Sequence, residues 1–81
     1  MRITIRLFAR LRDLAGGGEL VRDVAAPATI EGVWRGLVAE MPALAEYERT
    51  MSVALNAEYS KMSAAVGDGD EVAFLPPVSG G

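Results

Sequence analysis

Asp68-Gly69-Asp70-Glu71-Val72-Ala73-Phe74-Leu75-Pro76-Pro77-Val78-Ser79-Gly80-Gly81 reads as a tight turn, then a strand, then a tail that leaves the fold. Glycine and aspartate crowd into the turn, because both tolerate the backbone angles a reversal needs. Calcium is the other reading of such acidic residues, but the oxygen-ligand spacing of an EF-hand loop is absent. In the strand, Val72 and Phe74 fall on one face and Ala73 and Leu75 on the other, so neither face is polar. Pro76 and Pro77 then hold φ near extended values. Gly80 and Gly81 lack a Cβ, which makes them thin enough for a narrow channel. Residues 1–75 are therefore expected to form one domain and residues 76–81 a flexible tail. At full extension the tail would reach about 20 Å. Ordering it in a partner costs roughly 1–2 kcal/mol per residue, less at the prolines, which are restricted beforehand. The expected cargo is the carboxylate of Gly81.

The rest of the chain supplies the body that holds this tail. Residues 2–9 alternate, with Ile3, Ile5 and Leu7 on one side and Arg2, Thr4, Arg6 and Phe8 on the other, the pattern of a half-buried strand. Arg10 to Ala15 lead into Gly16-Gly17-Gly18, which reads as a loop. A phosphate cradle is the alternative there, but no Lys-Ser/Thr follows and no helix opens after the glycines. A hairpin connection into an antiparallel strand, Glu19 to Val24, fits better. Pro27 closes that strand, and Thr29 is placed to cap a helix with Glu31 in its first turn. Ile30, Val33, Trp34, Leu37, Val38 and Met41 form one apolar stripe at helical period, so this is the main core helix and Trp34 a core residue. Pro42 ends it. Gly32 and Gly36 fall outside the stripe and cost the helix about 1 kcal/mol each. Their charged surroundings rule out a membrane-helix motif. Residues 42–49 predict a second short helical turn with Leu44 and Tyr47 inward. Ser52 to Leu55 predict a third strand ending in a turn at Asn56, and residues 57–66 a short strand and a turn.

The resulting order, β-β-α-β-(β)-β, is an α+β fold of the β-grasp, or ubiquitin-like, type: a mixed sheet of 4–5 strands on one main helix. The last strand then lies parallel to the first at the sheet's centre. Its two apolar faces allow two readings. Either both are covered by the protein itself, or Leu75 and Phe8 form an exposed apolar patch at the root of the tail. One helix covers one face only, so the patch is preferred, and such patches mark partner surfaces.

Composition narrows the chemistry. The chain has 81 residues, 51% of them hydrophobic, with net charge −3, no cysteine and no histidine. There is no thiol nucleophile, no Cys-based metal site and no histidine base. Four of the eight basic residues (Arg2, Arg6, Arg10, Arg12) lie in the first twelve positions. In an acidic chain this cluster suits a solvated strand face or an acidic protein partner better than nucleic acid. No apolar run approaches the roughly 20 residues that span a bilayer, and no signal-peptide core is evident, so a cytoplasmic protein without membrane contact is expected.

The motif from Asp68 to Gly81 resembles the C-terminal signature of the molybdopterin synthase small-subunit family. Leu7-Phe8-Ala9-Arg10-Leu11-Arg12-Asp13-Leu14 is similar to that family's first strand and its exit. One departure lies in Ala57 to Val66, where relatives show a clearer strand. The resemblance implies a sulfur carrier with no self-contained active site and no cofactor of its own. A ubiquitin-E1-like adenylyltransferase, using ATP and magnesium, would adenylate Gly81, with Gly80 beside it in the channel. A sulfurtransferase would then convert it to a thiocarboxylate. The tail would enter the large synthase subunit, in a heterotetramer of two small and two large chains, and give its sulfur to the cyclic pyranopterin precursor. Phe8, Leu75, Pro76, Pro77, Val78 and Ser79 would contact that partner. A thiamine-pathway sulfur carrier, a ubiquitin-like modifier of lysines, and an interaction domain with an inert tail are the competing readings.

Overall fold

Ile3, Ile5 and Leu7 are buried along one side of β1 (Arg2–Leu7), and Arg2, Thr4 and Arg6 line the other. The computed structural model describes residues 1–77. The chain then forms α1 (Ala9–Ala15), β2 (Glu19–Asp23), β3 (Ala28–Thr29) and α2 (Ile30–Glu40). A 3₁₀ segment (Pro42–Tyr47) follows, then β4 (Ser52–Leu55), β5 (Glu58–Tyr59), β6 (Ala65–Val66) and β7 (Glu71–Leu75). The main sheet has five strands in the order β2-β1-β7-β4-β5. β7 runs parallel to β1, with Leu7 abreast of Phe74, and antiparallel to β4, with Ser52 abreast of Leu75. The last strand is thus central, and the architecture is the expected β-grasp.

α2 packs the core. Ile30, Val33, Trp34 and Leu37 are buried, and the Thr29 hydroxyl accepts the Gly32 N–H at 3.1 Å, satisfying one orphan donor of the first turn. The Trp34 ring lies 5.0 Å from Phe74, tilted by 48°, so the main helix meets the central strand through its two largest side chains. Trp34 Nε1–H donates to Glu48 Oε1 at 2.8 Å, so the indole is buried without an unpaired donor.

The structure corrects two expectations. The link between β1 and β2 is not a plain hairpin connection: α1 occupies Ala9–Ala15, with Leu11 buried and Leu14 and Ala15 packed against the core. Gly16, at φ 79°, ends it, and the Gly16 and Gly17 N–H groups both donate to Arg12 O. β1 and β2 do pair antiparallel, but a helix stands between them as well as the glycines. Residues 57–66 hold two short strands. β5 pairs β4 through a two-residue turn, Asn56-Ala57, with φ of 50° and 70°. β6 pairs β3. Between them, Met62 O and Ala64 O accept the N–H groups of Glu31 and Ile30, so this stretch caps α2. Val66 is buried and Met62 and Ala64 pack against the core, but the stretch changes direction between two two-residue strands, so its apolar residues follow no single period.

Candidate functional site

β1 and β7 are parallel, so their C-terminal ends leave the sheet together. Beyond the Leu7–Phe74 pair the next residues are Phe8 and Leu75, and both line one shallow hollow on the sheet face opposite α2. Ala54, Ala57, Tyr59 and Ala73 complete its apolar floor and wall, with Arg6 and Glu71 at the rim. Its volume is about 290 Å³ and it is open to one side. That is at or below the low end for pockets that enclose small molecules.

Each lining residue has a local cause. Phe8 is extended and stands at the N-terminus of α1, where the chain turns away from the sheet; it is 38% exposed. Ala9 takes φ 51°, a left-handed conformation that costs a non-glycine residue about 1–2 kcal/mol. This turn lets Leu11 enter the core while Phe8 stays on the surface. The Arg6 guanidinium carbon lies 5.7 Å from the Phe8 ring centroid and the side chain reaches Glu71 at 3.6 Å, which braces the aromatic from the rim. Leu75 and Ala73 are half-buried, so the second face of β7 is not covered by another layer.

Of the expected contact residues, the structure brings Phe8 and Leu75 together beside Pro76, which is half-buried, and Pro77, which is exposed. Val78, Ser79, Gly80 and Gly81 lie outside the described residues. Sequence reasoning missed Tyr59, which is 82% exposed and opposes Ala54 across the β4–β5 pair. Its signal was an aromatic after a turn asparagine, but Asn-Ala is a poor turn signature. Arg10 and Arg12, on α1 next to Phe8, are exposed and make no ion pair among the described residues.

At the other end of β7 a hydrogen-bond cluster fixes the strand's start. Asp70 accepts from Gly67 N at 2.7 Å and from Asn56 Nδ2 at 3.0 Å, and Asn56 Oδ1 accepts from Glu71 N at 2.9 Å. The Asn56 bond, then the Gly67 bond, hold the Asp70 carboxyl below its ordinary range. Among the described residues no group of three or more carboxylates is placed to hold a metal ion, and no helix is long and apolar enough to cross a membrane.

Fold and patch together define a ubiquitin-like β-grasp chain whose sheet presents an apolar hollow at the exit of its last strand. Residues 5–81 match the model of the ThiS family, and the chain belongs to that family. It is 39% identical over 83 residues to the molybdopterin synthase sulfur carrier subunit of Chlamydomonas reinhardtii, covering 100% of both chains. It is equally 39% identical over 79 residues to the subunit of the same name from Arabidopsis thaliana, covering 98% of this chain and 82% of that one. The crystal structure of SAMP1 from Haloferax volcanii is similar over 100% of both chains, at 33% identity and a TM-score of 0.86.

Proposed function

We propose that this chain is a sulfur carrier of molybdenum cofactor biosynthesis. The observation that carries this reading is the end-to-end similarity, at 39% identity, to molybdopterin synthase sulfur carrier subunits. Residues 1–75 act as the rigid body and 76–81 as the tail. A carboxylate is a poor electrophile, so the Gly81 carboxyl is first joined to AMP by an activating enzyme that uses ATP and magnesium. The sulfurtransferase's persulfide attacks the adenylate and AMP leaves, giving an acyl disulfide. A thiol of the partner enzymes then reduces that S–S bond, which releases the thiocarboxylate and leaves a disulfide on the enzyme. The chain contains no cysteine, so its own side chains offer no thiol to carry the sulfur. The hollow of Phe8, Tyr59 and Leu75 docks on the large synthase subunit, with Pro76, Pro77, Val78 and Ser79 leading the tail inward. There the sulfur passes to the cyclic pyranopterin precursor, within an assembly of two small and two large chains.

A second reading, that of a modifier joined to lysines of other proteins, is favoured by the likeness to SAMP1, the small archaeal modifier protein 1 of Haloferax volcanii, at 36% identity over 84 residues. A reconstituted mixture of chain, activating enzyme, ATP, sulfur donor, large subunit and precursor separates them. The carrier reading predicts dithiolene formation that Gly81→Ala abolishes without changing the melting temperature, because the added methyl obstructs a channel shaped for glycine. Wild-type turnover by Gly81→Ala would contradict it.

A further inference from the structure

The eight basic side chains of the sequence divide into two groups. Arg2, Arg6, Arg22 and Arg35 are each paired with a carboxylate of the fold. Arg10, Arg12, Arg49 and Lys61 are exposed and make no ion pair among the described residues. Carboxylates outnumber basic side chains by eleven to eight, so a shortage of acids is not the reason.

Register puts all four unpaired cations at one end of the main sheet. β1 and β7 are parallel, and α1, which carries Arg10 and Arg12, starts directly after β1 ends. The stem of Arg12 runs beside Gly18, whose carbonyl accepts the Leu7 N–H at 2.9 Å. On the other side of β7, Ser52 opens β4 abreast of Leu75. Arg49 lies in the turn just before it, where the Thr50 and Met51 N–H groups donate to Tyr47 O. Ser60 N–H donates to Val53 O at 2.9 Å, and Lys61 follows, sharing a surface hollow with Glu48 and Ser52. Neighbouring strands lie about 5 Å apart, so the two pairs flank the exit of β7 within one or two strands of Leu75. Residues 9–15, 42–51 and 60–61, which carry them, hold four cations against three carboxylates. One of those three, Glu48, accepts the Trp34 indole N–H. The rest of the chain holds four cations against eight carboxylates. An acidic molecule is thus rich in unpaired cations where its last strand leaves the sheet.

We propose that Arg10 and Arg12 on one side of this exit, and Arg49 and Lys61 on the other, receive an acidic protein surface with carboxylates on both flanks of its docking cleft. The partner is taken to be the large synthase subunit, so the inference rests on the carrier reading. A partner that covers the Phe8–Leu75 hollow meets both pairs at its rim. Charges at a solvated rim add little to affinity and act mainly on the rate and orientation of encounter. Nucleic acid suits this end less well, because three carboxylates are interspersed with the cations and the remaining surface repels phosphate.

Stopped-flow association of the full chain with purified large subunit tests this. The wild-type rate is expected to fall about tenfold from low to high ionic strength. Glutamine at all four positions is expected to slow low-salt association about tenfold and to flatten its salt dependence. The melting temperature is expected to stay unchanged, because no ion pair of the fold is lost. Arg10→Gln with Arg12→Gln, and Arg49→Gln with Lys61→Gln, are each expected to cost about threefold. Arg22→Gln with Arg35→Gln removes the same charge elsewhere and is expected to leave the rate within about twofold. A fourfold variant as fast as wild type, a control pair that slows association as much as the exit pairs, or an effect from one flank only would each overturn the inference and leave the carrier reading standing. Binding of a duplex DNA oligonucleotide in preference to the large subunit, lost in the fourfold variant, would overturn it in favour of nucleic acid. A wild-type chain that does not bind the large subunit at any salt concentration would overturn the carrier reading, and the inference with it.

Discussion

Leu75 lines the hollow beside Phe8. It is an aliphatic residue on the uncovered face of a central strand, one step before the tail. If the hollow docks on a partner, a lysine there places a charge where water is excluded, with no partner to neutralise it. Leu75→Lys is expected to weaken binding to the large subunit at least tenfold, about 1.4 kcal/mol, while the fold persists. Calorimetric titration checks this, and unchanged affinity would remove the hollow from the interface. Tyr59 and Phe8 frame the same site from β5 and the end of β1, so aromatic contacts are available on both sides of Leu75.

Elements were legible in proportion to how much of their signal sits in side chains. α2 shows its whole stripe and its cap, and Thr29 does cap it. β1 and β7 show their alternation. α1 was hidden because seven residues give one short stripe (Leu11, Leu14, Ala15), which reads as the approach to a glycine loop. The Phe8–Leu75 patch followed from the parallel pairing of β1 with β7 and the single helix layer. Tyr59 did not, since β5 is only two residues long and its turn lacks the usual glycine. That turn is itself a test. Ala57 sits at φ 70°, so Ala57→Gly is expected to stabilise the protein by up to about 1 kcal/mol, read as a raised denaturant midpoint. A fall in stability would mean the turn is not strained. The start of β7 gives a pH dependence. Hydrogen bonds from Asn56 and then Gly67 lower the Asp70 carboxyl, so the folded state favours its ionised form. The stability this gives is present above the unfolded value of about 3.9 and is lost as pH falls through the lower folded value. The difference in melting temperature between wild type and Asp70→Asn should be full near neutral pH and shrink below about pH 4. A constant difference across that range would show that the carboxylate's ionisation is not coupled to folding.

At the scale of the whole molecule, a mixed sheet on one main helix places its two central strand ends, a short helix and an apolar hollow around the exit of the last strand. Arginine supplies the cationic charge beside that exit on β1 and α1, at Arg6, Arg10 and Arg12. Such a surface can attract an acidic partner. We propose that the reactive group of this protein is the acyl group of Gly81, charged with sulfur by other enzymes. Intact-mass analysis of the protein isolated from its native host, under conditions that preserve thioacids, tests it most directly. The predicted result is a species in which one oxygen of Gly81 is replaced by sulfur. Finding only the free carboxylate, or only higher-mass conjugates to lysines of other proteins, would contradict it.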